Sequence, residues 1–275
     1  MSNLLQRILT GVIAGTAAIA AIVYSPYGLM LFCALVALLG LYEFVRMEVS
    51  ERQYYVSLMV LAGLVWAALL VIHLTGHTEE KELLMWQAMP LILPLISIIV
   101  LFNAKEKNPL KTIGVMATGL LYCYLPFTLL FDLSFPEGMP YDFRIPLGIL
   151  ILTWGLDVGA YFVGKGIGKN PLYPRISPKK TWEGSIGGAL ICVLLAVFFA
   201  YYEFANEGLT FNWIVVGIII SVFSQIGDLV ESMYKRSVSI KDSGSILPGH
   251  GGILDRFDGT YISIPFIYFY FSLVS

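Results

Sequence analysis

The stretch WIVVGIIISVFSQIGDLV, residues 213–230, decides the fold class of this chain. Asp228 is its only charged residue, and a run of this length falls within the roughly 17–25 mostly apolar residues that cross a bilayer as one helix. Its polar residues Ser221, Gln225 and Asp228 recur at intervals of four and three, so they share one face of a helix. The stretch therefore predicts a membrane-spanning helix with a polar face.

The composition of the whole chain supports a membrane protein. Its 275 residues are 57% hydrophobic and 13% charged, whereas soluble globular domains are about 45–50% apolar and about 25% charged. We predict an all-α integral membrane protein, a polytopic bundle of about nine transmembrane helices in one membrane domain, residues 1–275. The predicted spans are 8–24, 28–45, 55–72, 83–102, 113–131, 145–164, 185–202, 213–230 and 261–274.

The positive charges divide unequally between the two sides of this bundle. With nine spans, fifteen of the seventeen Lys and Arg residues fall on the side of the N-terminus, and only Lys81 and Arg144 fall on the other. Because cytoplasmic loops carry the excess of Lys and Arg, we predict a cytoplasmic N-terminus in the cell (inner) membrane. The two long loops, residues 165–184 and 231–260, then face the cytoplasm.

Two predicted spans carry polar residues towards these loops. Thr153, Asp157 and Tyr161 share one face of the span 145–164, as the polar residues named above do in 213–230. An ionised carboxylate near the bilayer centre costs at least about 2.5–3.5 kcal/mol, so such groups usually face a protein interior or a wet cavity. Either aspartate alone is also explained by a helix–helix hydrogen bond or an interfacial position. Their convergence favours a functional site.

The second long loop contains LPGHGGILDRFDG, residues 247–259, directly before the last apolar run. Carboxylates beside many basic residues are typical of a metal–phosphate site, because Mg²⁺ is held by one or two carboxylates together with substrate phosphates. Lys and Arg neutralise the remaining phosphate charge. Glycines let backbone N–H groups approach an anion closely. The segment therefore predicts a site for a metal and a polyphosphate at the membrane surface.

Two blocks resemble the signature of the phosphatidate cytidylyltransferases, also called CDP-diacylglycerol synthases. They are QIGDLVESMYKRSVSIKDSGSILPGHGGILDRFD, residues 225–258, and SPKKTWEGSIGG, residues 177–188. The resemblance is specific within residues 145–260, whereas the helices of residues 1–112 match only in general character. It implies transfer of a cytidylyl group from CTP to phosphatidate, and a site that uses Mg²⁺ with a second cation such as K⁺.

Carried onto this chain, the resemblance places the metal-binding aspartates at Asp228 and Asp255. We predict that a phosphatidate oxygen attacks the α-phosphorus of CTP in line, so the protein mainly positions the substrates and neutralises charge. The predicted catalytic residues are Asp228, Asp255, Lys179, Lys180 and Arg256. The predicted substrate-binding residues are Ser177, Lys235, Arg236, Lys241, His250 and Asp258. The predicted partners are CTP, phosphatidate and membrane lipid, with no nucleic acid, and a homodimer stays open.

Three other functions stay open at this point. A CTP-dependent kinase of a lipid alcohol would direct the alcohol at the γ-phosphorus and would need a base for its proton. An ion-coupled transporter could use Asp157 and Asp228, although transporter sites lie near the midplane at repeat interfaces and no repeat is visible here. A structural membrane protein is disfavoured by the density of polar residues.

The two lysines of the first motif block also have an alternative explanation. Lys179 and Lys180 could serve only as positive-inside anchors.

Overall fold

The structure, a computed structural model, describes residues 3–74, 89–103, 106–136, 140–203, 211–246 and 251–274. These residues are almost entirely helical. The helices are α1 (Asn3–Tyr24), α2 (Pro26–Arg46), α3 (Arg52–Leu74), α4 (Ile92–Leu101), α5 (Pro109–Gly119), α6 (Leu125–Leu133), α7 (Arg144–Ile167), α8 (Trp182–Phe198), α9 (Trp213–Ser237) and α10 (Leu254–Val274). A 3-10 turn, Met89–Leu91, precedes α4, and π-helical turns at Leu120–Tyr124 and Phe199–Glu203 follow α5 and α8.

Six stretches of helix among the described residues are long and apolar enough to cross a membrane. They are Pro26–Arg46, Arg52–Val71, Pro109–Leu133, Arg144–Ile167, Trp182–Tyr201 and Trp213–Ser237. Gly11–Tyr24 and Ile92–Leu101 are shorter apolar helices, and residues 83–88 of the predicted fourth span lie outside the described residues. The predicted class, an all-α polytopic membrane bundle, is confirmed. The predicted number of nine membrane spans is not confirmed.

The predicted last span corresponds to α10, which is not one of these six stretches. It begins seven residues before the predicted start at 261, with a kink at Phe257 (φ −122°, ψ 15°) between Asp255 and Asp258. Pro265 lies inside it, and proline within a membrane helix is tolerated where neighbouring groups compensate for the lost hydrogen bond.

The loop predicted at residues 165–184 contains a β-hairpin that the sequence analysis missed. Strands β1 (Pro171–Tyr173) and β2 (Ser177–Thr181) pair antiparallel. Three prolines within residues 171–178 disfavour a strand, because proline cannot donate to the ladder. Both strands of an isolated hairpin are edge strands, so here the prolines are tolerated.

The loop predicted at residues 231–260 is shorter than expected, because helices extend into it from both sides. Helix α9 continues to Ser237, and within this extension Glu231 and Lys235 form an ion pair one turn apart at 2.5 Å. Lys235 and Arg236 lie in the last turn of α9, where positive charges interact favourably with the helix dipole.

Helices α7 to α10 form the half of the bundle that carries the site. Helix α7 packs on α8, α8 on α9, and α9 on α10. A methyl group added at Gly159 would lie 3.2 Å from the Cα atom of Gly188, so these glycines let α7 and α8 pack closely. The C-terminal ends of α7 and α9 therefore meet the N-terminal ends of α8 and α10.

Candidate functional site

A polar cavity of about 670 Å³ opens where these four helix ends meet. Nine of the eleven predicted site residues line it, namely Lys179, Lys180, Asp228, Lys235, Arg236, Lys241, Asp255, Arg256 and Asp258. Asp157 and Tyr161 of the polar face on α7 line it as well. Residues from two sequence blocks about 50 positions apart thus share one cavity, as expected for a single site.

Among the described residues, Ser177, Thr153 and Ser221 do not line this cavity. Ser177 lies on β2 and is not among the lining residues. His250 lies outside the described residues. Thr153 is buried and donates a hydrogen bond to the carbonyl oxygen of Ile149 at 2.9 Å. The polar face of α7 therefore reaches the cavity only from Asp157 onwards.

A cluster of three carboxylates lies at this end of α9 and α10. Asp228 and Glu231 are on α9, Asp258 is on α10, and one oxygen from each lies within 4.8 Å of the others. The two helices approach closely here, because a methyl group at Gly227 would lie 3.0 Å from the Cα atom of Gly259. Sequence reasoning missed Glu231. Its position three residues after Asp228, on the same helix face, was the available signal.

The cluster has the composition of a site for a hard cation. Carboxylates this close repel one another unless a positive charge lies between them. Glu231 is 0% exposed, and its Oε1 atom has no hydrogen-bond partner among the described residues. A buried polar atom without a partner needs an explanation. Mg²⁺ prefers oxygen ligands of this kind, so the residues present fit such an ion.

Two lysines face the cluster directly. Lys180, which follows the exposed Lys179 on β2, forms an ion pair with Asp228. Lys235 lies 2.5 Å from Glu231 Oε2 and 2.6 Å from Asp255 Oδ1, with only 10% of its side chain exposed. These lysines only partly offset the local negative charge.

Four further cations among the predicted site residues are exposed and line the same cavity, namely Lys179, Arg236, Lys241 and Arg256. None of the four has an ion pair with a carboxylate among the described residues. They are therefore available to an anionic ligand that enters the cavity.

Asp255 has a different environment from the cluster. Its Oδ1 accepts the hydrogen bond from Lys235, and its Oδ2 accepts from the backbone N–H groups of Ser243 at 3.0 Å and Gly252 at 2.9 Å. Burial of this carboxyl disfavours its charged form, but these hydrogen bonds outweigh burial and lower the pKa of Asp255. Both oxygens thus have protein donors, and the assignment of Asp255 as a metal ligand stays a prediction.

The backbone before Asp255 depends on a glycine. Gly251 has φ +84°, a left-handed conformation that side chains rarely adopt. This turn points the backbone N–H of Gly252 at Asp255 Oδ2. The glycines of the motif therefore shape the wall of the cavity, in addition to any contact with an anion.

Comparison with known proteins gives a match along nearly the whole chain. The family described as "Cytidylyltransferase family" matches residues 5–274. A protein of Bacillus subtilis (strain 168) is 35% identical over 280 residues, covering 100% of both chains. A Haemophilus influenzae protein is 34% identical over 97% of this chain and 98% of its own. A Brucella suis biovar 1 protein is 32% identical over 98% and 94%. Each of the three is named phosphatidate cytidylyltransferase.

Proposed function

Since this chain belongs to the cytidylyltransferase family, we propose that it transfers the cytidylyl group of CTP to phosphatidate. The chain is an enzyme of the nucleotidyltransferase class, and the choice of lipid substrate follows the names of its relatives. The products are CDP-diacylglycerol, a precursor in phospholipid biosynthesis, and pyrophosphate. The observation that carries the proposal is one cavity that joins a carboxylate cluster to exposed cations at the end of apolar helices.

The bond changes need little proton transfer from the protein. An oxygen of the phosphatidate phosphate forms a bond to the α-phosphorus of CTP. The bond from that phosphorus to the oxygen bridging to the β-phosphate breaks, and pyrophosphate leaves with the electron pair. A phosphate monoester is already anionic near neutral pH, so no strong base is required. Positioning and charge neutralisation are then the main contributions of the protein.

The residues of the cavity divide these tasks. Lys179, Arg236, Lys241 and Arg256 bind phosphate oxygens of the two substrates, and an arginine can hold two oxygens of one phosphate at once. Asp228 accepts a hydrogen bond from Ser232 at 3.3 Å and pairs with Lys180, so its carboxylate is held in a set orientation. Ser177 remains a proposed phosphate contact from the first motif block, and His250 remains a proposed substrate-binding residue from the second.

Asp228, Glu231 and Asp258 are the residues that would hold Mg²⁺, and Asp255 remains a proposed ligand from the family resemblance. When bound, this ion supplies positive charge to the phosphate oxygens. A second cation such as K⁺ belongs to the proposal on the same resemblance. The three-carboxylate cluster has an oxygen set that suits either ion.

We place the reaction at the cytoplasmic face of the cell membrane. The charge distribution favours this orientation, and CTP is a soluble nucleotide. Phosphatidate reaches the same cavity from the bilayer, because the helices around it carry exposed apolar residues, among them Val158 and Phe162 on α7.

The test is a defined reaction with the purified full-length protein in lipid nanodiscs. With phosphatidate, CTP and Mg²⁺ present, we expect CDP-diacylglycerol and an equal amount of pyrophosphate. Product formation should stop with a chelator and return with Mg²⁺. Diacylglycerol in place of phosphatidate is the matched control, because it has the same acyl chains without the phosphate. Formation of phosphatidate from diacylglycerol, or no lipid product with either lipid, would contradict the proposal.

A further inference from the structure

Glu43 is a buried carboxylate in a part of the chain for which the sequence predicted no site residue. It lies near the C-terminal end of α2 and is 3% exposed. Its Oε2 atom accepts hydrogen bonds from the backbone N–H of Leu254 at 2.9 Å and from the Ser243 hydroxyl at 3.0 Å. Its Oε1 atom has no hydrogen-bond partner among the described residues. A buried charge of this kind is costly, so its presence in an apolar helix needs a reason.

The two partners of Glu43 lead directly to Asp255. Leu254 precedes Asp255 in the chain, and Ser243 donates its backbone N–H to Asp255 Oδ2 at 3.0 Å. The Ser243 hydroxyl also lies 3.0 Å from that same oxygen. Asp255 in turn holds Lys235, which pairs with Glu231 of the carboxylate cluster. A chain of direct contacts thus links α2 to the wall of the cavity.

Two glycines of the motif block 225–258 make room for the carboxylate of Glu43. A methyl group at Gly244 would overlap Oε1 of Glu43, and one at Gly252 would overlap Oε2 of Glu43 and the Ser243 hydroxyl. Gly244 is not in a left-handed conformation, so backbone freedom does not explain it. The close approach to Glu43 does.

We propose that Glu43 is a positioning residue, which fixes Ser243 and Leu254 and through them holds Asp255 and Lys235 at the cavity. The inference rests on the proposed function only for its kinetic readout. Because Glu43 touches none of the cavity-lining cations, its loss acts through geometry. We therefore expect the turnover number to fall more than the Michaelis constant for CTP rises.

The first experiment compares Glu43→Ala with Glu48→Ala in nanodiscs. Glu48 is a matched control, since it lies five residues further along, is 30% exposed and pairs with Lys111 at 2.5 Å. Glu43→Ala should lower kcat at least about tenfold, raise the Mg²⁺ concentration for half-maximal activity, and speed amide hydrogen exchange at Leu254. Glu48→Ala should change none of these. A wild-type Mg²⁺ midpoint and wild-type exchange in Glu43→Ala would overturn the proposal.

A second variant keeps the test decisive if Glu43→Ala folds poorly. Gly244→Ala retains Glu43 but forces its carboxylate to shift, so this variant should also lower kcat and speed amide hydrogen exchange at Leu254. In the double variant Glu43→Ala/Gly244→Ala the added methyl group meets no carboxylate, and the loss should be no larger than that of Glu43→Ala alone. Fully additive losses, or a silent Gly244→Ala, would overturn the positioning role.

The two proposals fail in distinguishable ways. If the wild-type protein transfers no cytidylyl group to phosphatidate, the proposed function fails, and exchange at Leu254 still reports on Glu43. If the wild-type protein is active and the Glu43 variants match it in the Mg²⁺ midpoint and in exchange, only the positioning role fails.

Discussion

Acidic side chains lie beside both ends of α7, but they are neutralised to different extents. The helix is 24 residues long, so about 36 Å separates its ends. At its first residue, Arg144 donates from Nε to Asp142 Oδ1 at 2.8 Å and from a terminal nitrogen to Oδ2 at 2.7 Å. At the other end, three carboxylates of α9 and α10 face one another within 4.8 Å.

The difference is that one acidic group is paired with a single cation, whereas the cluster keeps uncompensated negative charge. Asp142 is matched by one guanidinium in a two-point geometry, which satisfies both of its oxygens. Asp228, Glu231 and Asp258 share only the partial neutralisation by Lys180 and Lys235. A surplus of negative charge beside unpaired cations is suited to a ligand that carries both a metal ion and phosphates.

The largest expected contrast between the two ends of α7 is in their accessibility from outside the cell, because the predicted orientation puts them on opposite sides of the membrane. In a background without Cys33, Cys123 and Cys192, cysteine at Lys179 or Lys241 should resist an impermeant thiol reagent applied to intact cells. Cysteine at Phe143, beside Arg144, should react, since Phe143 is exposed. Labelling of position 179 or 241 from outside would reverse the orientation and remove the cytoplasmic site.

The next contrast is in turnover. Asp228→Asn keeps the shape of the side chain but removes a charge from the cluster, so the site should lose its affinity for Mg²⁺. We expect kcat/KM to fall at least about a thousandfold, which corresponds to about 4 kcal/mol of transition-state stabilisation. The measurement is steady-state kinetics over a range of Mg²⁺ concentrations. Near-normal activity at saturating Mg²⁺ would remove Asp228 from the metal site.

A smaller loss is expected when the cations change shape without changing charge. In Lys179→Arg/Lys180→Arg the net charge near the membrane is preserved, so a pair that served only as topological anchors would not respond. A compact ammonium that pairs with Asp228 is not replaced by a planar guanidinium. We expect kcat/KM to fall at least about tenfold, or about 1.4 kcal/mol. Wild-type kinetics across CTP concentrations would return both lysines to an anchoring role.

The smallest expected effect on catalysis is at the opposite end. Asp142→Asn leaves the Arg144 guanidinium without its counter-charge and should lower stability by about 1–3 kcal/mol. The turnover of the folded protein should stay unchanged, because Asp142 is far from the cavity. Thermal unfolding and kcat measured on the same preparation check both expectations. A large drop in kcat with unchanged stability would show that the two ends are not functionally separate.

The sequence predicted the helices and much of the site because both have local signals. An apolar run with a polar residue every three or four positions indicates a membrane helix with one wet face, and Asp157 and Asp228 were found in this way. Eleven site residues were predicted within the two motif blocks that carry the family resemblance, and nine of these eleven line one cavity.

The parts that the sequence did not predict depend on distant partners. Glu43 lies in an apolar run, and its contacts with Ser243 and Leu254 join residues 200 and 211 positions apart. Glu231 lies one turn from Asp228, but its role depends on Asp258, which reaches it only when α9 and α10 pack at Gly227 and Gly259. Such pairings come from helix packing, which no local pattern records.

Cytidylyl transfer to phosphatidate is tested most directly by following both ends of CTP in one reaction. The purified protein is given phosphatidate and Mg²⁺ with CTP labelled either at the α-phosphorus or at the γ-phosphorus. We expect the α label in the lipid fraction as CDP-diacylglycerol, and the γ label in pyrophosphate. Asp228→Asn should abolish both the labelled lipid and the labelled pyrophosphate. Appearance of the γ label in lipid would contradict the proposed reaction and indicate a CTP-dependent lipid kinase.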